Sequence, residues 1–144
     1  MPWTVPSDLR IPANADVIAF LEATAPSAHS DVATELASAI RGLPGTSTVC
    51  PNPAAYAWVA ARNSAGRVYA LAYGQTAMCV RVGPGRLEAA LSERGAPATE
   101  IGGDWVRFDA FVTDEPLAAT RARLHRWCTI AFQLAGGAGK SKPD

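Results

Sequence analysis

The chain has 144 residues, with 13 basic and 13 acidic side chains and therefore no formal net charge; its pI is near 6.7. Apolar residues make up 49% and charged residues 18%, which fits one packed domain and excludes an intrinsically disordered chain. A protein that coats a nucleic-acid duplex carries a basic excess to neutralise phosphates, so the charge balance makes nucleic acid an unfavoured partner.

With Pro2, Pro6 and Pro12, the first residues are expected to be extended. Asn14 is then a suitable N-cap and Asp16 a suitable first-turn acid for a helix over 15–24, with Val17, Phe20 and Leu21 on one face and Pro26 beyond its end. Ser30 is the expected cap of a second helix, whose apolar stripe is Val32, Leu36, Ala39 and Ile40 and whose stop is Gly42. The Pro- and Gly-punctuated stretch 42–53 has room for a short edge strand at 46–50.

Residues 56–62, 67–73 and 77–82 read as three strands of an antiparallel meander, joined by turns at 63–66 and at Gly74-Gln75. A two-residue turn with a leading glycine implies a type II′ hairpin, which sets Tyr73 opposite Thr76, Leu71 opposite Met78 and Tyr69 opposite Val80. With a four-residue first turn, one sheet face then collects Tyr56, Trp58, Tyr69, Leu71, Tyr73, Met78 and Val80. The other collects Ala57, Val59, Ala61, Val68, Ala70, Ala72, Ala77 and Cys79. Neither face is polar, so both must be covered, by helices, a ligand or a second subunit.

After Gly83-Pro84-Gly85, a helix is expected over 85–94, with Leu87, Ala90 and Leu91 inward, followed by a short strand at 98–101. Residues 105–112 alternate as a further strand, with Val106, Phe108, Ala110 and Val112 facing one way. Thr113 or Asp114 should cap a long last helix with Pro116 in its first turn, buried through Leu117, Leu124, Trp127, Ala131 and Leu134. The expected architecture is α+β: about five antiparallel strands packed with N-terminal helices, a middle helix and a long C-terminal helix. It forms a single domain over 1–135, followed by a flexible tail at 136–144.

No catalytic residue, metal site or cofactor is spelled out. Cys50, Cys79 and Cys128 are too far apart for a CxxC pair and read as free, mostly buried thiols of a reducing, cytoplasmic setting. No leader sequence is expected from Met1–Pro6, which lacks a basic and an apolar region, and no apolar run approaches the ~18 residues of a membrane helix, so no membrane partner is expected. The string 134–141 imitates the end of a phosphate-binding loop, but it follows a helix, which is the wrong context. His125 and Cys128, three apart on the last helix, are too few ligands for a metal, and His29 has no triad partner. Glu88 and Glu93 read as an exposed helix face, and no carboxylates pair. The candidate binding residues are aromatics and arginines: Tyr56, Trp58, Tyr69 and Tyr73 on the sheet, Trp105 and Arg107 on the later strand, and Arg121, Arg123 and Arg126 on the last helix. Indole and guanidinium planes can stack on or clamp an anionic or aromatic partner.

Residues 67–73 followed by 77–82, helix 85–94, the Gly102-Gly103-Asp104-Trp105-Val106 approach to the next strand, and the terminal helix 124–135 together carry a resemblance. The chain resembles the MmcQ/YjbR-like group of small bacterial α+β domains and its TfoX N-terminal and YdhG-like relatives. It departs from them at Cys79-Val80-Arg81, where those families carry a lysine. The resemblance implies a double-wing α/β fold and, in some members, binding of DNA or protein. The functional expectation is a non-enzymatic domain that binds a protein partner or a second copy of itself. The alternatives are a small apolar or aromatic ligand held against the sheet aromatics, and DNA held by the arginines.

Overall fold

The alternating apolar runs in the middle of the chain form a five-stranded sheet in which every strand pairs with its sequence neighbours, antiparallel throughout. A computed structural model describes residues 5–51, 57–95 and 97–136. The strands are β1 (Ser47–Val49), β2 (Val59–Arg62), β3 (Val68–Tyr73), β4 (Ala77–Arg81) and β5 (Trp105–Asp109), so β1 and β5 are the edges. The helices are α1 (Ala15–Thr24), α2 (Ser30–Ala39), the short α3 (Leu87–Leu91) and α4 (Leu117–Leu134). This is an α+β fold with a long C-terminal helix.

Both faces of the sheet are covered. Every residue of β3 and β4 is buried. On one side Val32, Leu36 and Ala39 of α2 and Leu124, Trp127, Cys128 and Ala131 of α4 pack on Met78, Val80, Val106 and Phe108. On the other, Val17, Ile18 and Leu21 of α1, with Val5 and Leu9 ahead of it, pack on Trp58, Leu71, Cys79 and Trp105. Burying a side chain of this size contributes about 1.5–3 kcal/mol, so two filled layers are what hold a sheet that is apolar on both faces.

The register differs from the expected one in two places, and each redistributes the aromatics. At the β3–β4 turn, Tyr73 pairs with Ala77, Ala72 with Met78 and Ala70 with Val80. The loop is therefore three residues, Gly74-Gln75-Thr76, not two. One extra residue moves every side chain of β4 to the opposite face: Met78 and Val80 lie under α2 and α4, while Cys79 joins Leu71 and Tyr73 beneath α1. The cause is not local. Gly74, at φ 66°, donates its N–H to Ser27 O at 2.6 Å and accepts from His29 N at 2.8 Å, so the α1–α2 connection holds the loop open.

The second difference is a β-bulge. Ala61 pairs with Ala70 but Arg62 with Val68, which leaves Tyr69 as the extra residue. Such a residue is released from strict alternation. Tyr69 turns toward α4, edge-on to Phe132 at 5.7 Å, with its hydroxyl 2.9 Å from Thr46 Oγ1. Trp58 and Tyr73 remain on the α1 side. Trp58, Tyr69 and Tyr73 thus do not share a face, and Tyr56 lies outside the described residues.

Smaller corrections follow from tertiary contacts. β5 ends at Asp109, one residue after which Ala110 N–H still donates to Thr76 O (2.8 Å) across the end of the ladder. The expected strand at 98–101 is reduced to one antiparallel bridge, Ala98 with Arg107. The helix expected over 85–94 is a 3-10 turn (Pro84–Arg86) followed by α3. Pro116 precedes α4, and Asp114, at φ 65°, belongs to the connection before it. Leu91, Leu117 and Leu134, expected to face inward, are 38–44% exposed. The expected flexible tail falls outside the described residues except for Gly136.

Two buried asparagines clamp the β2–β3 turn from either side of the sheet. Asn14 makes no cap bond to α1. Its Nδ2 donates to Leu9 O (2.8 Å) and Gly66 O (3.0 Å), and its Oδ1 accepts from Val68 N (2.8 Å). Asn63 Oδ1 accepts from Ala65 N and Arg67 N at 3.0 Å, and its Nδ2 donates to Ala135 O (2.8 Å) at the end of α4. The turn is therefore tied to both helical layers.

Glu115, ahead of α4, accepts from Arg123 NH1 at 2.8 Å and Thr120 Oγ1 at 2.6 Å. The Arg123 bonds, helped by Thr120, hold its carboxyl down at about 2 against an ordinary 4.5. A folded-state value below the unfolded one gives stability that is present above the unfolded value and lost as pH falls toward the folded one. Melting temperature measured from about pH 6 to about pH 2 should therefore fall most steeply below about pH 4.3. Glu115→Gln should lower the neutral plateau and flatten that acid limb; an unchanged limb would show that Glu115 does not drive it.

Candidate functional site

The three α4 arginines are each held by a glutamate of this chain. Arg121 forks onto buried Glu35 of α2, Nε to Oε1 at 2.9 Å and NH2 to Oε2 at 2.8 Å. Arg123 is buried against Glu115. Arg126 NH2 meets Glu93 Oε2 at 2.6 Å, and Trp127 Nε1 donates to the same oxygen at 3.0 Å. Glu93 is thus an anchor for α4, not part of a solvated face. Guanidiniums already engaged with carboxylates contribute little to phosphate binding. The row ties α4 to α2 and to the segments around it.

Trp105 is fully buried. Its indole lies under the Arg81 guanidinium, 4.6 Å from the ring centroid, and its Nε1 donates to Asp16 Oδ2 at 3.0 Å. Arg81 in turn grips both Asp16 oxygens at 3.0 Å. The stacked indole and guanidinium expected of a binding rim are present, but as an internal joint between α1 and β4–β5.

Aromatic and charged candidates come together at the β5 edge, on the α1 side. Cys79 on β4 and Arg107 on β5 are cross-strand partners in a row that continues to Leu71 on β3, and Tyr73 lies on the same face two residues along β3 from Leu71. Glu100 reaches this row from the segment 97–101, which we call the strap. Tyr73 Oη donates to Glu100 Oε1, and Arg107 NH1 donates to Glu100 Oε2 at 2.6 Å. Tyr73 Oη also lies 3.2 Å from Cys79 Sγ, and Phe20 of α1 closes over the Tyr73 ring at 5.2 Å. The strap is fixed to β5 by Arg107 N to Ala98 O (2.7 Å) and Ala98 N to Arg107 O (3.2 Å), and Ile101 packs on the α1-side core.

The electrostatics of this cluster keep Tyr73 and Cys79 neutral beside the Glu100–Arg107 ion pair. Burial, with the neighbouring Cys79 and Glu100, pushes the Tyr73 hydroxyl well above its ordinary value, so it stays a donor. Burial pushes the Cys79 thiol up to about 12, and Cys128 likewise up to about 12. A thiol held neutral is a poor nucleophile. A disulfide-forming reagent at neutral pH should therefore modify half-buried Cys50 first and reach Cys79 and Cys128 at the rate of unfolding; three equally fast thiols would contradict the packing.

His29 and His125 have structural tasks. His29 Nδ1 accepts from Asp31 N (3.1 Å) and caps α2 in place of the expected Ser30. His125 Nδ1 lies 2.8 Å from Ala39 O at the end of α2, whereas Cys128 is buried, so the two do not converge. No group of three or more His, Cys, Asp or Glu residues placed to hold a metal occurs among the described residues. No helix of the described residues is long and apolar enough to cross a membrane.

Comparison with known proteins finds no matching family model, no matching curated protein and no matching solved structure. Sequence reasoning brought Tyr73, Trp105 and Arg107 into consideration but missed Glu100, Glu115 and Glu93. The only signal for Glu100 was its place in a short strand-like segment ahead of β5.

Proposed function

We propose that this chain is a small binding domain that docks a protein partner along the β5 edge of its sheet. The observation that supports this most directly is the contrast between faces and edge. Both faces are filled by the chain's own helices, whereas β5 is bordered by an irregular strap joined through the Ala98–Arg107 bridge. A strand edge offers a row of backbone N–H and C=O groups to an added strand. Arg107 and Tyr73 sit beside that edge and supply side-chain recognition. The resemblance to the MmcQ/YjbR-like group, some of whose members are proposed to bind DNA or protein, is compatible with this reading. Three free cysteines suit a reducing, cytoplasmic setting.

Ala98→Pro tests it. Proline removes the N–H that bonds to Arg107 O and leaves both core layers in place. The variant should self-associate through the exposed edge, with a concentration-dependent dimer in sedimentation and slowed amide exchange at Arg107 in the dimer. A folded variant that stays monomeric at about 1 mM, while its Arg107 amide exchanges faster than in the parent, where it is bonded to Ala98 O, would reject edge docking.

A further inference from the structure

Two side chains beside the β5 edge, Tyr73 and Arg107, bind a carboxylate that this chain itself supplies. Glu100 sits between the Tyr73 hydroxyl and the Arg107 guanidinium, and the fit is incomplete on the arginine side. Glu100 takes NH1, while Arg107 Nε is buried with no hydrogen-bond partner among the described residues. A guanidinium is a planar fork suited to taking both oxygens of a carboxylate along one side. Glu100 does not approach that way from its fixed position two residues past the Ala98 bridge, where its other oxygen meets Tyr73. A buried N–H without a partner carries a standing cost, so a carboxylate free of this tether gains a bond that Glu100 does not make.

We infer that the partner of the β5 edge is an extended acidic segment, whose carboxylate replaces Glu100 between Tyr73 and Arg107 as its backbone replaces the strap. This rests on the edge-docking reading above and names the chemistry of that edge. The strap is then a self-ligand. Its Glu100 and its Ala98 backbone bonds imitate, in one short segment, the side-chain and main-chain halves of the contact a partner makes. Phe20, over the Tyr73 ring, and Ile101, on the core beneath, mark where an apolar neighbour of the incoming carboxylate would sit. Unengaged arginine and tyrosine donors would otherwise face water and bind small anions indiscriminately; the strap keeps the site matched until a better carboxylate arrives.

The test uses the strap in trans. The full chain carrying Ala98→Pro and Glu100→Gln has its edge loosened and its own carboxylate removed, and its fold is checked by circular dichroism and melting. The probe is a fluorescein-labelled synthetic peptide with the sequence of residues 97–103, read by fluorescence polarisation, alongside the same peptide with glutamine at its glutamate. The acidic peptide should bind at least about tenfold more tightly than its glutamine twin, the effect of one charge-assisted bond. Adding Arg107→Met to the protein should erase that difference. Equal binding of the two peptides, with the Arg107 amide protected in both complexes, would overturn the carboxylate inference and leave edge docking standing. No binding of either peptide to the folded variant at about 1 mM would overturn both. Retention of the tenfold difference in the Arg107→Met background would place the carboxylate elsewhere and overturn the inference alone.

Discussion

Asn14→Ala is expected to cost about 2–4 kcal/mol of folding stability, measured by urea denaturation, because it strands three backbone groups at once. Leu9 O, Gly66 O and Val68 N–H all lose their partner, and Asn14 is fully buried, so water does not replace it. The cost should be non-local. Amide exchange at Val68 and along the β2–β3 turn should speed up, although Asn14 lies more than fifty positions away in the chain. Asn14→Asp separates the donor and acceptor roles. Aspartate keeps the acceptor for Val68 N–H but places a second oxygen against two carbonyls, so the ionised form is disfavoured in the folded protein and its pKa is raised there. A group raised on folding stabilises below its unfolded pKa, and that stability is lost as pH rises through the folded value. The Asn14→Asp variant should therefore be most stable below about pH 4 and lose stability toward neutrality, the reverse of the acid limb expected of the parent. A pH-independent deficit would show that the side-chain oxygen and nitrogen are not placed as described.

The elements of this fold were legible because they depend on local pattern. The i, i+3, i+4 spacing of Val17, Phe20 and Leu21 placed α1, and two apolar strand faces announced two covering layers. What was not legible was parity. A sheet with apolar residues on both sides carries no internal mark of which side each strand should show, so register rests on turn length alone. Here turn length was decided by remote contacts: Gly74 is held by Ser27 and His29, and the residue freed by the bulge, Tyr69, is taken up by Thr46 and Phe132. An aromatic stripe read from sequence was thus two unrelated groups, one on each side of the sheet.

The site was legible in its donors and not in its acceptors. Arginine and tyrosine stand out among alanines, whereas a single glutamate in a loop looks like ordinary solvated charge. The partners Glu35, Glu93, Glu100 and Glu115 lie between 7 and 86 positions from the arginines they engage, and no spacing rule connects them. Their engagement changes the meaning of the arginines: in a row that reads as a candidate anion surface, each guanidinium is paired to a carboxylate of the chain, Arg123 in the interior and Arg121 and Arg126 at the surface.

The joint behind the β5 edge sets how much it can move. Trp105→Ala should cost about 3–5 kcal/mol, the range for deleting a buried aromatic. For a chain of this length that corresponds to a fall in Tm of roughly 10–20 °C. Packing accounts for most of this loss, and Trp105→Phe isolates the remainder. It keeps a ring under Arg81 but loses the Nε1 bond to Asp16, and should cost about 1–2 kcal/mol. Burial raises the Asp16 carboxyl, but the bonds from Arg81 and Trp105 outweigh it and leave the value lowered. The stability this supplies is present above the unfolded Asp value and lost as pH falls through the folded one. The deficit of Trp105→Phe should therefore be full at neutral pH and shrink below about pH 4. Arg81→Met should cost less than the roughly 3–5 kcal/mol of breaking a fully buried pair, because Asp16 remains partly open to water. If indole, guanidinium and carboxylate act as one joint, the double variant Arg81→Met/Trp105→Phe will lose about 0.5 kcal/mol or more short of the sum of the single losses. Strict additivity would mean that the Arg81–Trp105 stack is contact without coupling. β5 would then be held by its ladder to β4 and by packing, without the Arg81–Asp16 joint adding to either.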